Sequence, residues 1–221
     1  MEDTTEGRDI EQYYAARASE YDRVYAKPER QQNLRAIERW LPSVLHDRAL
    51  LEVACGTGYW TQFLAPVAKQ MVALDASAEV LRIARSRVGV GHVRFVLGDA
   101  YQLPVPVREF EGAFAGFWFS HVPIARIGEF LHALHQTLVP GAKVVLLDNQ
   151  FVEGSSTCIS EQDVDGNTYQ LRRLEDGSVH RVLKNFPSSH ELHQAVSGVA
   201  SEVNYQEWKH FWALEYLLAE S

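Results

Sequence analysis

Glu52, Asp75 and Asp99 each stand at or near the end of a short apolar run, and Gly56 and Gly58 lie two apart just after the first of them. Carboxylates accept hydrogen bonds from hydroxyl and amino groups and attract cations. Glycines let a backbone turn sharply and let a ligand approach with no Cβ in the way. Asp75 lies 17 residues beyond Gly58, where an acid ending a second strand accepts from ribose hydroxyls. Asp99, followed by the backbone N–H of Ala100, offers an acceptor and a donor together, the pair that the exocyclic amine and a ring nitrogen of adenine require. Glu52 beside the loop would repel a pyrophosphate and attract an ammonium or a sulfonium. His121, which follows a fourth apolar run, is the one histidine placed to contact a substrate or take a proton.

These residues need a scaffold that brings strand ends together. Ala49–Val53 reads as a buried parallel strand, and Trp60, Phe63, Leu64 and Val67 follow at helical spacing. Gln70–Asp75 is a second strand, and Ser77 is a competent N-cap for a helix over 78–88, which leaves Asp75 for a ligand. Val93–Leu97 is a third strand and Glu111–Trp118 a fourth. A helix over 125–138, a Pro140-Gly141 turn and a fifth strand at Ala142–Leu147 come next. Alternating strands and helices of this kind make a doubly wound α/β sheet, with ligands bound outside the carboxyl ends of its strands.

A dinucleotide fingerprint would place a third glycine where Thr61 stands. The run Glu52-x-Ala54-x-Gly56-x-Gly58 instead resembles the first motif of class I S-adenosylmethionine-dependent methyltransferases, acidic-x-Gly-x-Gly-x-Gly, with Ala54 at the first glycine. Gly98-Asp99-Ala100 with Leu103-Pro104 resembles the family's adenine-binding segment, and the Pro-Gly turn and a closing pair of strands, Glu202 to Trp208 and Phe211 to Leu218, also match. The resemblance implies a seven-stranded Rossmann-like sheet and S-adenosylmethionine as cofactor. Cofactor contacts are expected from Glu52, Ala54, Cys55, Gly56, Gly58, Trp60 and Thr61 around the loop. Asp75 and Ala76, Asp99 and Ala100, and Phe117 at the next three strand ends complete the set. It also implies an N-terminal helical lid. Tyr13, Tyr14 and Tyr21 lie there at helical spacing, with Tyr14 the expected partner of His121 in orienting the methyl acceptor. The Asn/Asp-Pro-Pro-aromatic turn of amino-group methyltransferases acting on nucleic acid is missing after the fourth strand. Asp148-Asn149 stands where metal-dependent members hold magnesium, but the fourth strand supplies no third carboxylate, so no metal is expected.

A single domain over 9–221 is expected, with residues 1–8 disordered, a helical lid at 9–45 and an inserted loop and hairpin at 150–186. Asp176-Gly177 between alternating runs marks the hairpin. Its Arg172, Arg173 and Arg181 suit either solvent or an acidic substrate. A net charge of −8 argues against nucleic-acid binding. Two cysteines give no disulfide framework, and no run spans a membrane, so a cytoplasmic monomer or homodimer is expected. Methyl transfer to an O or N atom of a small molecule is the favoured function. A scaffold that keeps the fold without turnover is the alternative, and NAD-dependent redox chemistry is disfavoured by Thr61 and Glu52.

Overall fold

All five residues of Ala49–Val53 are buried and form strand β1. It reads as an unbroken apolar run because neighbours cover both faces. The computed structural model describes residues 22, 25–89, 91–174 and 176–219. β2 (Gln70–Asp75) and β4 (Phe110–Gly116) pair with β1 on either side, both parallel. β3 (Val93–Leu97) extends the sheet beyond β2, and β5 (Leu138–Asn149) extends it beyond β4. β9 (Ala200–Glu207) and β10 (Phe211–Leu218) close it antiparallel, giving a seven-stranded order β3-β2-β1-β4-β5-β10-β9. Strand order reverses between β1 and β4, so a crevice opens at their carboxyl ends. The sheet is the doubly wound one expected.

Side chains alternate between two apolar layers, as the strand period requires. Leu51, Val53, Val72, Val144 and Leu146 face one way, with Phe130, Leu131 and Leu134 of α4 (Ile127–Gln136). Leu50, Met71, Phe114, Val145 and Leu147 face the other, with Leu34, Ile37, Leu41 and Leu45 of α1 (Gln31–Leu45). Short α2 (Thr61–Leu64) follows the loop after β1, and α3 (Ala78–Val88) follows β2. Ser77 caps α3 as expected, accepting from the Val80 N–H.

Several element boundaries depart from what local sequence patterns suggest, three of them by more than end fraying. Helix α1 runs through Pro42 to Leu45, although a proline ordinarily favours a stop. Proline removes one N–H and loosens one turn, but burial of Leu41 and Leu45 on either side outweighs that loss. β5 begins at Leu138, so Pro140-Gly141 lies inside an irregular strand start, with the register to β4 shifting between Phe110 and Gly112. The inserted hairpin, β7 (Thr168–Arg173) and β8 (Val179–Leu183), carries a third, two-residue strand β6 (Glu161–Gln162) in a stretch read as connector. A capping box at Ser188–Glu191 starts α5 (Ser189–Ala195), which leads to β9. Among the described residues no helix is long and apolar enough to cross a membrane.

Candidate functional site

The loop after β1 is built on left-handed backbone: Ala54, Gly56 and Gly58 have φ of 55°, 55° and 77°. Alanine at the family's first glycine is therefore a conformational departure as well as a change in size, since an L-residue there costs roughly 1–2 kcal/mol. Gly58 has a packing duty too. A Cβ on it would sit 3.1 Å from Cα and Cβ of Ala84, so the loop lies directly on α3. Phe117, at the tip of β4, is the other left-handed residue at the crevice (φ 60°). A bulky residue held in that region concentrates strain at functional sites.

The three acids behave differently. Glu52 is 1% exposed and accepts from the Thr61 hydroxyl at 2.6 Å. Burial pushes its carboxyl up to about 8, with the Asp75 charge adding to the rise. Thr61, fully buried, therefore serves Glu52 and has no open face for a cofactor. Trp60 is buried against Phe63, Phe114 and Phe117 beneath the loop. Cys55 packs with Ala73 and Leu81, its thiol raised by burial and then by Glu52. The side chains of these three expected contacts back the loop instead of lining the crevice. Asp75 is no idle carboxylate either. It accepts from the Gly56 N–H at 2.8 Å and the Ser77 N–H at 3.0 Å, stapling the first loop to the second. Ala76 beside it is exposed. Asp99 is exposed at the tip of β3 and closes an Asx-turn by accepting from the Tyr101 N–H at 2.9 Å, with Ala100 buried beneath.

Across the switch point the charge changes sign. Asp148, fully buried at the end of β5, accepts from Lys184 Nζ at 2.8 Å, the Ser120 N–H at 2.9 Å and the Asn149 N–H at 2.7 Å. The ammonium, and then His121, hold its carboxyl below the usual range against the pull of burial. Lys184 also donates to the Ser120 hydroxyl. Thus the acid that would hold a metal in related folds has a lysine as its counter-cation here. His121 is 4% exposed, and its Nδ1–H donates to the Leu183 carbonyl at 2.7 Å. Burial, followed by the Lys184 and Arg172 charges, drives its pKa well down, so the ring is neutral with the basic lone pair on Nε2. Arg30, 4% exposed, reaches Asn149 Oδ1 at 2.8 Å.

The approach to the crevice is aromatic. Tyr25 stacks on Tyr59 at 3.5 Å and on Phe117 at 5.7 Å, and Phe117 stacks on Phe211 at 5.6 Å. Asp22 accepts from the Thr57 hydroxyl at 2.7 Å and pairs with Arg87 of α3, tying the segment before α1 to the glycine loop. Tyr13, Tyr14 and Tyr21 lie outside the described residues.

The structure therefore gathers Gly56, Gly58, Asp75, Asp99, Phe117 and His121 along one sheet edge, with Glu52 just beneath it. Sequence reasoning missed Arg30, Lys184, Ser120 and Tyr25. Arg30 and Lys184 are far apart in the chain and sit in no motif, so no local signal marks them. The stacking of Tyr25 extends the tyrosine spacing already noted.

A family described as "Methyltransferase domain" matches residues 50–141, the stretch from β1 to the start of β5. The malonyl-(acyl-carrier protein) O-methyltransferase of Serratia marcescens is 28% identical over 69% of this chain and 63% of its own length. The demethylmenaquinone methyltransferase of Geobacillus kaustophilus is 30% identical over 48% of this chain and 47% of its own. The chain thus spans roughly half to two-thirds of the length of these curated relatives. The solved structure of a DhpI-SAM-HEP complex is similar end to end, with 30% identity, a TM-score of 0.79, and 96% of this chain and 97% of that one covered. With the glycine loop, the acid-tipped β2 and β3, and this whole-chain likeness in hand, the chain belongs to the class I S-adenosylmethionine-dependent methyltransferases.

Proposed function

We propose that the protein transfers the methyl group of S-adenosylmethionine to an oxygen or nitrogen atom of a small molecule. The observation that carries this reading is the arrangement of Glu52, Asp75 and Asp99 at or near the tips of three adjacent parallel strands, with the glycine loop tied to Asp75 through the Gly56 N–H. The donor set fits an adenosine-bearing cation: carboxylates for hydroxyls and an amine, and a buried acid below a left-handed loop. Glu52 with Gly56 and Gly58 would hold the methionine end, Asp75 the ribose, and Asp99 with Ala100 the adenine. When bound, the cofactor supplies a methyl on a sulfonium, an electrophile that needs alignment more than activation. The chain's own work is to orient the acceptor, exclude water and manage one proton.

His121 is suited to positioning: its Nδ1–H is fixed on Leu183, and burial, followed by the surrounding cations, keeps its Nε2 only weakly basic. Tyr14 is the further candidate for orienting the acceptor. The Asp22 and Tyr25 contacts support a lid formed by the segment before α1. The names of the relatives point to differing acceptors, malonyl-(acyl-carrier protein) in one and demethylmenaquinone in another, so the acceptor side is where this chain must be read on its own residues. Its net charge of −8 supports an acceptor other than nucleic acid.

Calorimetric titration with S-adenosylhomocysteine tests the cofactor half. Asp75→Ala and Asp99→Ala are each expected to weaken binding about tenfold, the loss of one charge-assisted hydrogen bond. Unchanged affinity in both discards the assignment. Incubation with methyl-labelled cofactor and a metabolite extract separates enzyme from scaffold, because a scaffold transfers no label.

A further inference from the structure

Arg30 is a buried guanidinium whose direct hydrogen-bond partners among the described residues are all neutral. Nε donates to the Ser155 hydroxyl at 3.1 Å, Nη1 to Asn149 Oδ1 at 2.8 Å and Nη2 to the Ser155 carbonyl at 3.3 Å. Glu29, the acid whose charge acts on Arg30, is exposed and accepts from the Ser155 hydroxyl at 2.8 Å instead of meeting the guanidinium. A buried cation without a counter-ion is costly, and chains keep one where a ligand supplies the charge. The surroundings deepen the imbalance. Asn149 donates to Asp148 at 3.1 Å, and Asp148 is already committed to Lys184. Arg30 and Lys184 therefore flank one buried carboxylate between them. Lys27 Nζ reaches the same Ser155 carbonyl at 2.5 Å. Arg172 donates to Gln170 Oε1 at 2.9 Å, and its charge acts on Lys27, His121 and Lys184 alike, so it stands near all three. Even with Asp148 beside it, burial and the neighbouring cations pull the Lys184 ammonium down overall. Arg30 and Lys184 are thus gathered beside the one carboxylate of Asp148 in a chain whose net charge is −8, so composition does not account for them.

We propose that Arg30 and Lys184, with Lys27 and Arg172 at the rim, form an oxyanion subsite that docks an acidic group of the methyl acceptor. The acceptor is then a small acid, and its remaining bulk lies on the adjoining aromatic surface. Phe211 lies 5.8 Å from the Arg30 guanidinium and stacks on Phe117, while Phe186 lies 6.0 Å from Lys184 Nζ and meets Phe151 edge-on at 5.4 Å. The cations stand at the β4 and β5 tips beside His121, across the switch point from Asp75 and Asp99, which suits an acceptor rather than the adenosine. The assignment rests on the methyl-transfer reading above.

The test titrates inorganic phosphate, and separately acetate, into the full chain saturated with S-adenosylhomocysteine at low ionic strength. Saturable binding of at least one anion is expected. It should weaken tenfold or more in Arg30→Gln and in Lys184→Met, and about threefold in the half-exposed Arg172→Gln, which keeps the buried network whole. S-adenosylhomocysteine affinity should stay within twofold in all three. Absence of anion binding, or anion binding unchanged in Arg172→Gln and in either buried variant that remains folded, overturns the subsite. A parallel fall in S-adenosylhomocysteine affinity also overturns it, because the cations would then serve the cofactor's own carboxylate. Protein that takes phosphate but not S-adenosylhomocysteine overturns the methyl-transfer reading instead, so the two failures are distinguishable. Given labelled cofactor, the enzyme should label a pool of small acids; label confined to amines and neutral alcohols overturns the proposal.

Discussion

The two halves of the crevice carry opposite charge and are built in opposite ways. On the β1–β3 side, acids sit at or near strand ends and are held by groups close in sequence: Asp75 by the Ser77 N–H, Asp99 by the Tyr101 N–H, Glu52 by the Thr61 hydroxyl. On the β4–β5 side, the carboxylate of Asp148 is outnumbered by cations brought from far away. Arg30 reaches Asn149 across 119 residues, and Lys184 reaches Asp148 across 36 from the inserted hairpin. A half made of local contacts can keep a fixed ligand, whereas a half assembled from an N-terminal segment and an insertion can change its ligand without disturbing the sheet.

Cutting the link between Asp148 and Lys184 should have the largest effect. Asp148→Ala leaves the Lys184 ammonium buried without its acid and removes acceptors from the Ser120 and Asn149 N–H groups. A loss of about 3–5 kcal/mol is expected in chemical denaturation. Asp148→Leu combined with Lys184→Met should recover much of that stability while losing anion binding, because the pair replaced by apolar groups no longer strands a charge. If the double variant is no more stable than the single one, the basic half is not held by this pair.

The acid half answers to pH instead. Glu52, raised to about 8 by burial, keeps in the folded protein a proton that the unfolded chain gives up near 4.5. Its contribution to stability is therefore complete below 4.5 and fades as pH climbs through 8. Glu52→Gln should flatten that decline and be the more stable form at pH 9, by a few kcal/mol. Binding a cationic cofactor above Glu52 should expel the proton. Near pH 7 Glu52 should release most of its proton on binding, read from calorimetry in buffers of differing ionisation enthalpy. Glu52→Gln should abolish it. Release that persists in the variant assigns the proton to another group.

The same contrast explains what the sequence disclosed. The succession of strands and helices, the glycine loop, the Ser77 cap and the hairpin at Asp176-Gly177 follow from local patterns of apolar runs and turn residues, and so do the positions of Asp75 and Asp99. Which way a side chain points in a tight loop does not. Trp60 and Thr61 sit in the motif yet face inward, because the residues after Gly58 have already entered α2 and pack beneath the loop. Continuation of α1 past Pro42 was hidden because local propensity opposed it and burial of Leu45 decided it. The role of Lys184 was hidden for a different reason. A lysine just after a hairpin reads as solvated, and only packing of the insertion over Ser120 carries it to Asp148.

The smallest predicted effect contrasts the two left-handed residues, one from each half. Ala54 ends β1 with φ 55° and Phe117 ends β4 with φ 60°. For Ala54 the strain has little return, since only a methyl group packs there. Ala54→Gly relieves roughly 1–2 kcal/mol of left-handed strain, and the greater freedom of the unfolded chain takes back about 0.4–1 kcal/mol. A net gain of about 0.5–1 kcal/mol is expected, seen as a higher denaturation midpoint with an unchanged slope. Phe117→Gly relieves the same strain but removes a ring that touches Tyr25, Trp60 and Phe211, so it should destabilise, because emptying a buried aromatic position costs about 3–5 kcal/mol. Opposite signs from two residues with the same backbone conformation would show that strain at Phe117 is held in place by the aromatic approach to the crevice, while strain at Ala54 is held only by the loop. Should Ala54→Gly fail to stabilise, the Ala54 methyl, packed beside the main apolar layer, contributes as much as its backbone costs, and the loop is a fitted part of the acid half rather than a strained one.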